Sequence, residues 1–323
     1  MKAVQVSRYG GPEVLEVVDL PMPVAGPGEI LLRHTAIGLN FIDTYHRSGL
    51  YPLPLPFIPG VEGAGVVEAV GEGVSHLKPG DRVAYGWGPT GAYAEYRTIG
   101  ADRVVKLPDD LDERTAAASL LKACTGEFLV NRAYAVQPGD TVLWHAAAGG
   151  VGLMAVQWLK SIGATVIGTV GNAEKAELAR EHGCDHVILY REENVVARVL
   201  DITGGRKLPV VYDSVGKDTF ITSLDCLAPR GMMVSFGNAS GPVTGVDLGI
   251  LSTKGSLYIT RPTLFAYYAT PEERETYSRQ VFDKITSGQV KVEIEQSFKL
   301  EDIAEAHRAL EERRTTGCTV IEP

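Results

Sequence analysis

The run Leu143-Trp144-His145-Ala146-Ala147-Ala148-Gly149-Gly150-Val151-Gly152 constrains this chain more than any other. An apolar stretch from Thr141 to Trp144 stops at a cluster of the smallest side chains, and an amphipathic helical pattern from Val151 through Ile162 begins at once. A strand that turns into a helix with no side chains at the turn lets a pyrophosphate approach backbone N–H groups where the helix macrodipole favours negative charge. Ala147-x-Gly149-x-x-Gly152 has the dinucleotide-binding spacing, with alanine in place of the first glycine. A second apolar run, Ala164 to Val170, gives way to polar residues at Gly171-Asn172, the context that such a fingerprint requires. Gly149, Gly150 and Val151 are therefore candidate pyrophosphate contacts.

The end of that second run selects the cofactor. Chains that hold NAD usually place an Asp or Glu there, roughly 20 residues past the glycines, to accept from the ribose 2′-OH. Here the sequence reads Gly171-Asn172-Ala173-Glu174-Lys175. The strand end carries no carboxylate, which leaves room for a 2′-phosphate, and Lys175 one helical turn on can supply the positive charge. The plainer reading of Lys175 is a solvated lysine beside Glu174. On balance NADP is favoured over NAD.

With 323 residues, two domains are the natural expectation. A net charge of −9 with no Lys/Arg run longer than two argues against a nucleic-acid surface. The four cysteines, Cys124, Cys184, Cys226 and Cys318, are far apart and contain no C-x-x-C, so neither a disulfide framework nor a zinc knuckle is indicated. Scattered thiols fit the cytoplasm. No apolar run approaches the length of a membrane span, and the chain starts with the strand-like Lys2–Val6 rather than a signal peptide.

The first third is rich in glycine, proline and short alternating runs such as Ile30–Ala36, Gly65–Val70 and Arg82–Tyr85, which point to a β-barrel-like domain over residues 1–122. Over residues 123–262 the texture becomes strand–helix alternation. Strands are expected at Val142–Leu143, Val166–Val170, Val187–Leu189, Val210–Asp213 and Met232–Phe236, with helices at 151–162, 173–182, 193–202 and 217–227 between them. That alternation is the sign of a parallel α/β sheet. Residues 263–323, with helical stretches at 271–287 and 301–313 around Val292–Ile294 and a last strand at Cys318–Ile321, are too short for a domain and are expected to return to the first one.

Eight segments in order carry a resemblance along the whole chain. They are Gly10–Leu15, Gly38–Tyr45, Arg47–Tyr51, Pro59–Gly65, Pro79–Val83, His145–Gly152, Val211–Gly216 and Ser235–Gly237. Together they resemble the zinc-independent quinone oxidoreductases, the zeta-crystallin type, of the medium-chain dehydrogenase/reductase superfamily. The resemblance implies a Rossmann doubly wound parallel sheet inserted in a GroES-like β-barrel catalytic domain, NADPH as donor, a quinone as acceptor, and a homodimer that joins two Rossmann sheets edge to edge. Zinc-dependent members carry a Cys in the segment matching Asn40–Asp43 and a Gly-His-Glu motif. This chain has Asn40-Phe41-Ile42-Asp43 and Gly60-Val61-Glu62, so two ligands of a three-ligand catalytic site are missing and no metal is expected. Quinones suit such a site, because they accept hydride without strong polarisation and mainly need alignment and exclusion of water.

By the same resemblance Asn40, Asp43, Tyr45 and Tyr51 lie beside the nicotinamide. Asn40 and Asp43 would bond near cofactor or acceptor and the tyrosines would wall the pocket, while a purely structural reading makes Asp43 the N-cap of a helix. Tyr190, at the end of the third strand, joins Lys175 around the 2′-phosphate and adenine. Thr125, Phe236, Gly237 and Asn238 match cofactor contacts, and Leu264 and Arg313 are weaker carry-overs. His145 and Cys124 read as packed residues rather than as catalysts. Two other functions stay open: reduction of activated C=C bonds in enones or enals, and, against the acidic balance, an RNA-binding or structural role.

Overall fold

The strand Glu29–Gly38 buries every second residue as far as His34 and then three in succession at its end. That pattern belongs to a strand with one face on a core and its far end enclosed. The computed structural model describes all 323 residues and divides into two units. One comprises Met1–Cys124, Tyr268–Gly288 and Val292–Pro323; the other comprises Thr125–Tyr267 and Gln289–Lys291.

In the first unit a seven-stranded sheet runs in the order Ile294–Lys299, Cys318–Glu322, Glu29–Gly38, Glu62–Val70, Arg82–Tyr85, Val105–Lys106, and Tyr96–Gly100 also pairs with Glu29–Gly38. The C-terminal strand thus pairs antiparallel with a strand of the first third, Val320 opposite Gly38. A separate hairpin pairs Lys2–Val6 with Leu15–Asp19. One apolar cluster joins residues from both ends of the chain, including Val4, Ile30, Leu32, Val67, Val83, Ile303 and Ile321. A strand that was not expected from the sequence lies at Ile294–Lys299. Only alternate residues of this segment are partly covered, so its apolar signal is weak and the more apolar residues before it draw the eye. The helix expected at 301–313 is shorter, Ile303–Glu311.

The second unit holds six strands in the spatial order His186–Leu189, Thr165–Val170, Thr141–His145, Leu208–Asp213, Leu227–Ser235, Tyr258–Thr260. All neighbours are parallel. Counted along the chain the order is 3-2-1-4-5-6, the doubly wound arrangement whose switch point lies between the first and fourth strands. Val142, Leu143, Val166, Ile167, Val210 and Val211 are all fully buried, as expected of strands covered on both faces. No helix of the molecule is long and apolar enough to cross a membrane.

Candidate active site

In the second unit, the strand Thr141–His145 leaves the sheet through a four-residue turn and enters the helix Gly150–Ile162. Ala146 supplies the positive φ of that turn, +55°, where an L residue is strained. The N-cap is Gly149, in extended conformation and with no side-chain cap, so no side chain of the protein occupies the first-turn N–H groups. A Cβ on Gly152 would stand 2.5 Å from Ala146 O and 2.6 Å from Ala147 O; only glycine lets the helix come this close to the strand end. A Cβ on Gly149 would meet only Ala146 O, at 3.3 Å, so its outer side is open. A bare helix N-terminus with open space before it fits a pyrophosphate.

Beside this turn the strand Thr165–Val170 ends at Gly171. Asn172 caps the next helix, accepting from Lys175 N–H at 2.9 Å, and so fixes where Lys175 begins its side chain. A Cβ on Gly171 would lie 3.0 Å from Tyr190 Oη and 3.6 Å from Arg191 Nε. Gly171, Tyr190 and Arg191 are therefore neighbours, and Tyr190 keeps 40% of its surface exposed. Arg191 is a cation that sequence reasoning passed over, although it directly follows Tyr190.

At the switch point, Asp213 ends the fourth strand as a buried hub. Its Oδ1 accepts from Val215 N–H at 2.8 Å and Gly216 N–H at 3.0 Å, and its Oδ2 accepts from Ser223 Oγ at 2.6 Å. Because the Ser223 proton goes to Asp213, Ser223 Oγ accepts from His145 Nε2 at 3.1 Å, and His145 Nδ1 accepts from the Thr169 hydroxyl at 2.9 Å. Burial pushes the His145 imidazole below its usual range and keeps it neutral. Serine, histidine and aspartate meet here, but sealed from solvent and with serine rather than histidine on the carboxylate, so the set ties strand ends together and does not generate a nucleophile. Phe236 follows the fifth strand and packs on Trp144, ring centroids 5.3 Å apart. Gly237 touches the neighbouring backbone, since a Cβ there would lie 2.3 Å from Ser214 O. Thr125 and Leu264 are both buried. Arg313 is exposed, has a φ of +61°, and belongs to the first unit.

The first unit carries the polar–aromatic segment on the helix Phe41–Ser48 and the loop after it. Tyr45 and Tyr51 meet edge to face at 5.3 Å, held by Tyr51 N–H donating to Tyr45 O at 3.1 Å, and both remain partly exposed. Asn40 and Asp43 turn inward. The helix N-cap is Asn40, and Asp43, at the third helical position, accepts from Asn40 N–H at 2.9 Å; the reading of Asp43 as N-cap is corrected accordingly. Asn40 Nδ2 donates to Glu62 Oε2 at 2.8 Å. That fully buried carboxylate also takes Lys122 Nζ at 3.0 Å and Leu121 N–H at 2.7 Å. Gly38 is glycine because a Cβ would fall 2.3 Å from Glu62 Oε2 and 2.2 Å from Ala117 O.

Asp43 is fully buried. Its Oδ2 accepts from Tyr93 Oη at 3.0 Å, Tyr93 Oη accepts from His307 Nε2 at 3.0 Å, and His307 Nδ1 accepts from Arg47 Nη1 at 3.1 Å. Arg47 donates two further bonds to Glu311, at 3.0 and 2.6 Å. The guanidinium can only donate, which fixes every proton in this line. Burial pushes Asp43 up to about 7, against its hydrogen bonds from Asn40 and Tyr93, and pushes His307 down to about 3, with Arg47 adding to the shift.

Comparison with known proteins closes the identification. Residues 26–109 match the alcohol dehydrogenase GroES-like domain and residues 150–282 the zinc-binding dehydrogenase family. A quinone oxidoreductase of Pseudomonas aeruginosa is 57% identical over 100% of this chain and 99% of its own length. The chain belongs to the quinone oxidoreductase family. The crystal structure of Escherichia coli quinone oxidoreductase complexed with NADPH superposes with a TM-score of 0.99, at 50% identity and complete coverage of both chains. A 2-haloacrylate reductase of Burkholderia sp is 43% identical over 99% of this chain and 98% of its own.

Val61 is apolar and 1% exposed, and no three His, Cys, Asp or Glu side chains converge on a point that could hold an ion. Sequence reasoning missed Glu62, Lys122, Tyr93 and His307. Glu62 was noted only within Gly60-Val61-Glu62, in the argument about metal ligands, and Lys122 was the one charge in the otherwise uncharged stretch Thr115–Gly126.

Proposed function

We propose that this chain is an oxidoreductase that reduces quinones with NADPH. The observation that carries the reading is the side-chain-free helix start at Gly149–Gly152, in a chain that shares full-length similarity with quinone oxidoreductases, one of them complexed with NADPH. NADPH supplies a hydride. Gly150 and Val151 N–H groups hold its pyrophosphate, while Lys175, Tyr190 and Arg191 surround its 2′-phosphate next to Gly171, where no carboxylate repels it. Thr125 and Phe236–Asn238 are assigned to the nicotinamide half. Tyr45 and Tyr51 form an aromatic wall that orients the acceptor and keeps water away, and Asn40 and Asp43 hold the backbone beneath that wall.

The 2-haloacrylate reductase relative supports a second reading, reduction of an activated C=C bond with the same donor. Two further features belong to the proposal. Tyr258 and Ile259 are 59% and 39% exposed on the edge strand of the six-stranded sheet, and Leu248 nearby in sequence is 72% exposed, which favours a homodimer paired through that edge. Four buried free cysteines favour the cytoplasm.

Steady-state rates with 1,4-naphthoquinone and with a conjugated enone, each under NADPH and NADH, test the assignment. Naphthoquinone with NADPH is expected to be fastest; a faster enone transfers the assignment to the second reading. Lys175→Ala should weaken NADPH far more than NADH, by about 1–3 kcal/mol for a charge-assisted bond. Equal losses for both cofactors would remove Lys175 from the 2′-phosphate site.

A further inference from the structure

Four side-chain cations of the first unit are more than nine-tenths buried, and three of them have a carboxylate partner. Arg47 pairs with Glu311, Arg274 with Asp102 and Lys122 with Glu62. The fourth, Arg97, is 7% exposed and has none. Its three nitrogens reach backbone carbonyls at 3.3–3.4 Å, Thr98 O, Pro89 O and Thr90 O, and the Tyr85 hydroxyl is a further neutral partner. These are long bonds to neutral groups, and the guanidinium carbon lies 4.8 Å from the centroid of the Tyr85 ring. The charge is felt within the barrel, where it adds to burial in pushing His34 down to about 3. A buried cation without a counter-ion is costly, and an anion reaching it from outside would offset that cost.

Arg97 does not face closed protein. It lines an open cleft of about 280 Å³ together with Thr90, Tyr96, Thr98, Ile58 and Met1, and no acidic side chain lines that cleft. We propose that this cleft binds a small organic carboxylate, whose anionic end pairs with the Arg97 guanidinium and whose body rests against Ile58 and Met1. The planar fork of arginine matches a carboxylate in two parallel bonds. The partly apolar lining, with Met1, Pro23 and Ile58, suits an organic anion better than inorganic phosphate. Volume limits the ligand to a small molecule, at the low end of ordinary ligand pockets.

The test uses the full-length protein with NADPH saturating, so that benzoate cannot be read out at the cofactor site. Met1 alone among the five methionines lines the cleft, so its ¹³C-labelled methyl resonance reports binding there. Benzoate should shift that resonance saturably. Benzamide, the uncharged isostere, should bind at least about tenfold more weakly, and Arg97→Gln should weaken benzoate by at least about tenfold while naphthoquinone reduction is unchanged. Should Arg97→Gln fail to fold, the benzoate–benzamide ratio on the unmodified protein decides alone. The proposal is overturned by the absence of a saturable Met1 shift, by similar affinities for benzoate and benzamide, by unchanged binding in folded Arg97→Gln, or by tighter binding of inorganic phosphate than of benzoate.

Discussion

A carboxyl group cut off from water resists ionisation, and Asp43 is the clearest instance in this molecule. In the unfolded chain it titrates near 3.8, and in the folded chain burial lifts it to about 7. Between these values the folded state holds a proton that the unfolded state has lost. The stabilising contribution is therefore complete below about pH 4 and disappears as pH rises through 7. His34 and His307 act in the opposite sense: both are pushed down to about 3, so their contribution is present above about 6.5 and is lost as pH falls through 3. Asp43→Asn removes the one of these terms that falls with pH, by up to about 1.4 kcal/mol per pH unit, so unfolding free energy should rise more steeply with pH between about 4 and 6.5 in the variant than in the wild type. Denaturant titrations at several pH values measure this; parallel wild-type and mutant slopes would mean that Asp43 keeps its proton in neither state. The sequence shows Asn40 and Asp43 as a polar cluster worth noticing, but not that both turn inward. Their partners Glu62, Tyr93 and His307 stand far along the chain, and no local spacing announces a bond made across such a separation.

At the scale of single elements, the strand–turn–helix at residues 141–162 was legible because each of its parts is locally determined: an apolar run, small residues at the turn, and a helical period. Its two outer glycines make separable predictions. Replacing glycine by alanine inside a helix normally gains about 1 kcal/mol. Gly152→Ala should instead destabilise the protein by about 2 kcal/mol or more, since its Cβ would meet two fixed backbone oxygens. Gly149→Ala should cost much less stability than Gly152→Ala, because its Cβ would meet a single backbone oxygen at 3.3 Å, and should weaken NADPH. Thermal melts and fluorescence titration of NADPH separate the two outcomes; equal NADPH affinity in Gly149→Ala would remove the pyrophosphate from this turn. The parallel strands were found easily because burial on both faces makes them unbroken apolar runs. Ile294–Lys299 was missed because it alternates half-covered and exposed residues, which hardly differs from a loop.

For the whole molecule, the exposed edge Tyr258–Thr260 sets the expected assembly. Ile259→Lys places a charge at the centre of that edge and should convert a dimer to a monomer in sedimentation analysis, with the circular dichroism of the fold retained. A wild-type chain that sediments as a monomer at all concentrations would dispose of the dimer. The division of the chain between its two units has a separate consequence for how the protein is made. Nearly all of the α/β unit is contiguous, from Thr125 to Tyr267, whereas the barrel sheet contains Cys318–Glu322 as an internal strand next to Glu29–Gly38. During synthesis, then, the Ile37–Gly38 end of that strand must wait for Cys318–Glu322, although Glu29–Arg33 already has Tyr96–Gly100 as its partner. Truncations close to the C-terminus should accordingly leave a nascent chain whose middle is folded and whose beginning is incomplete.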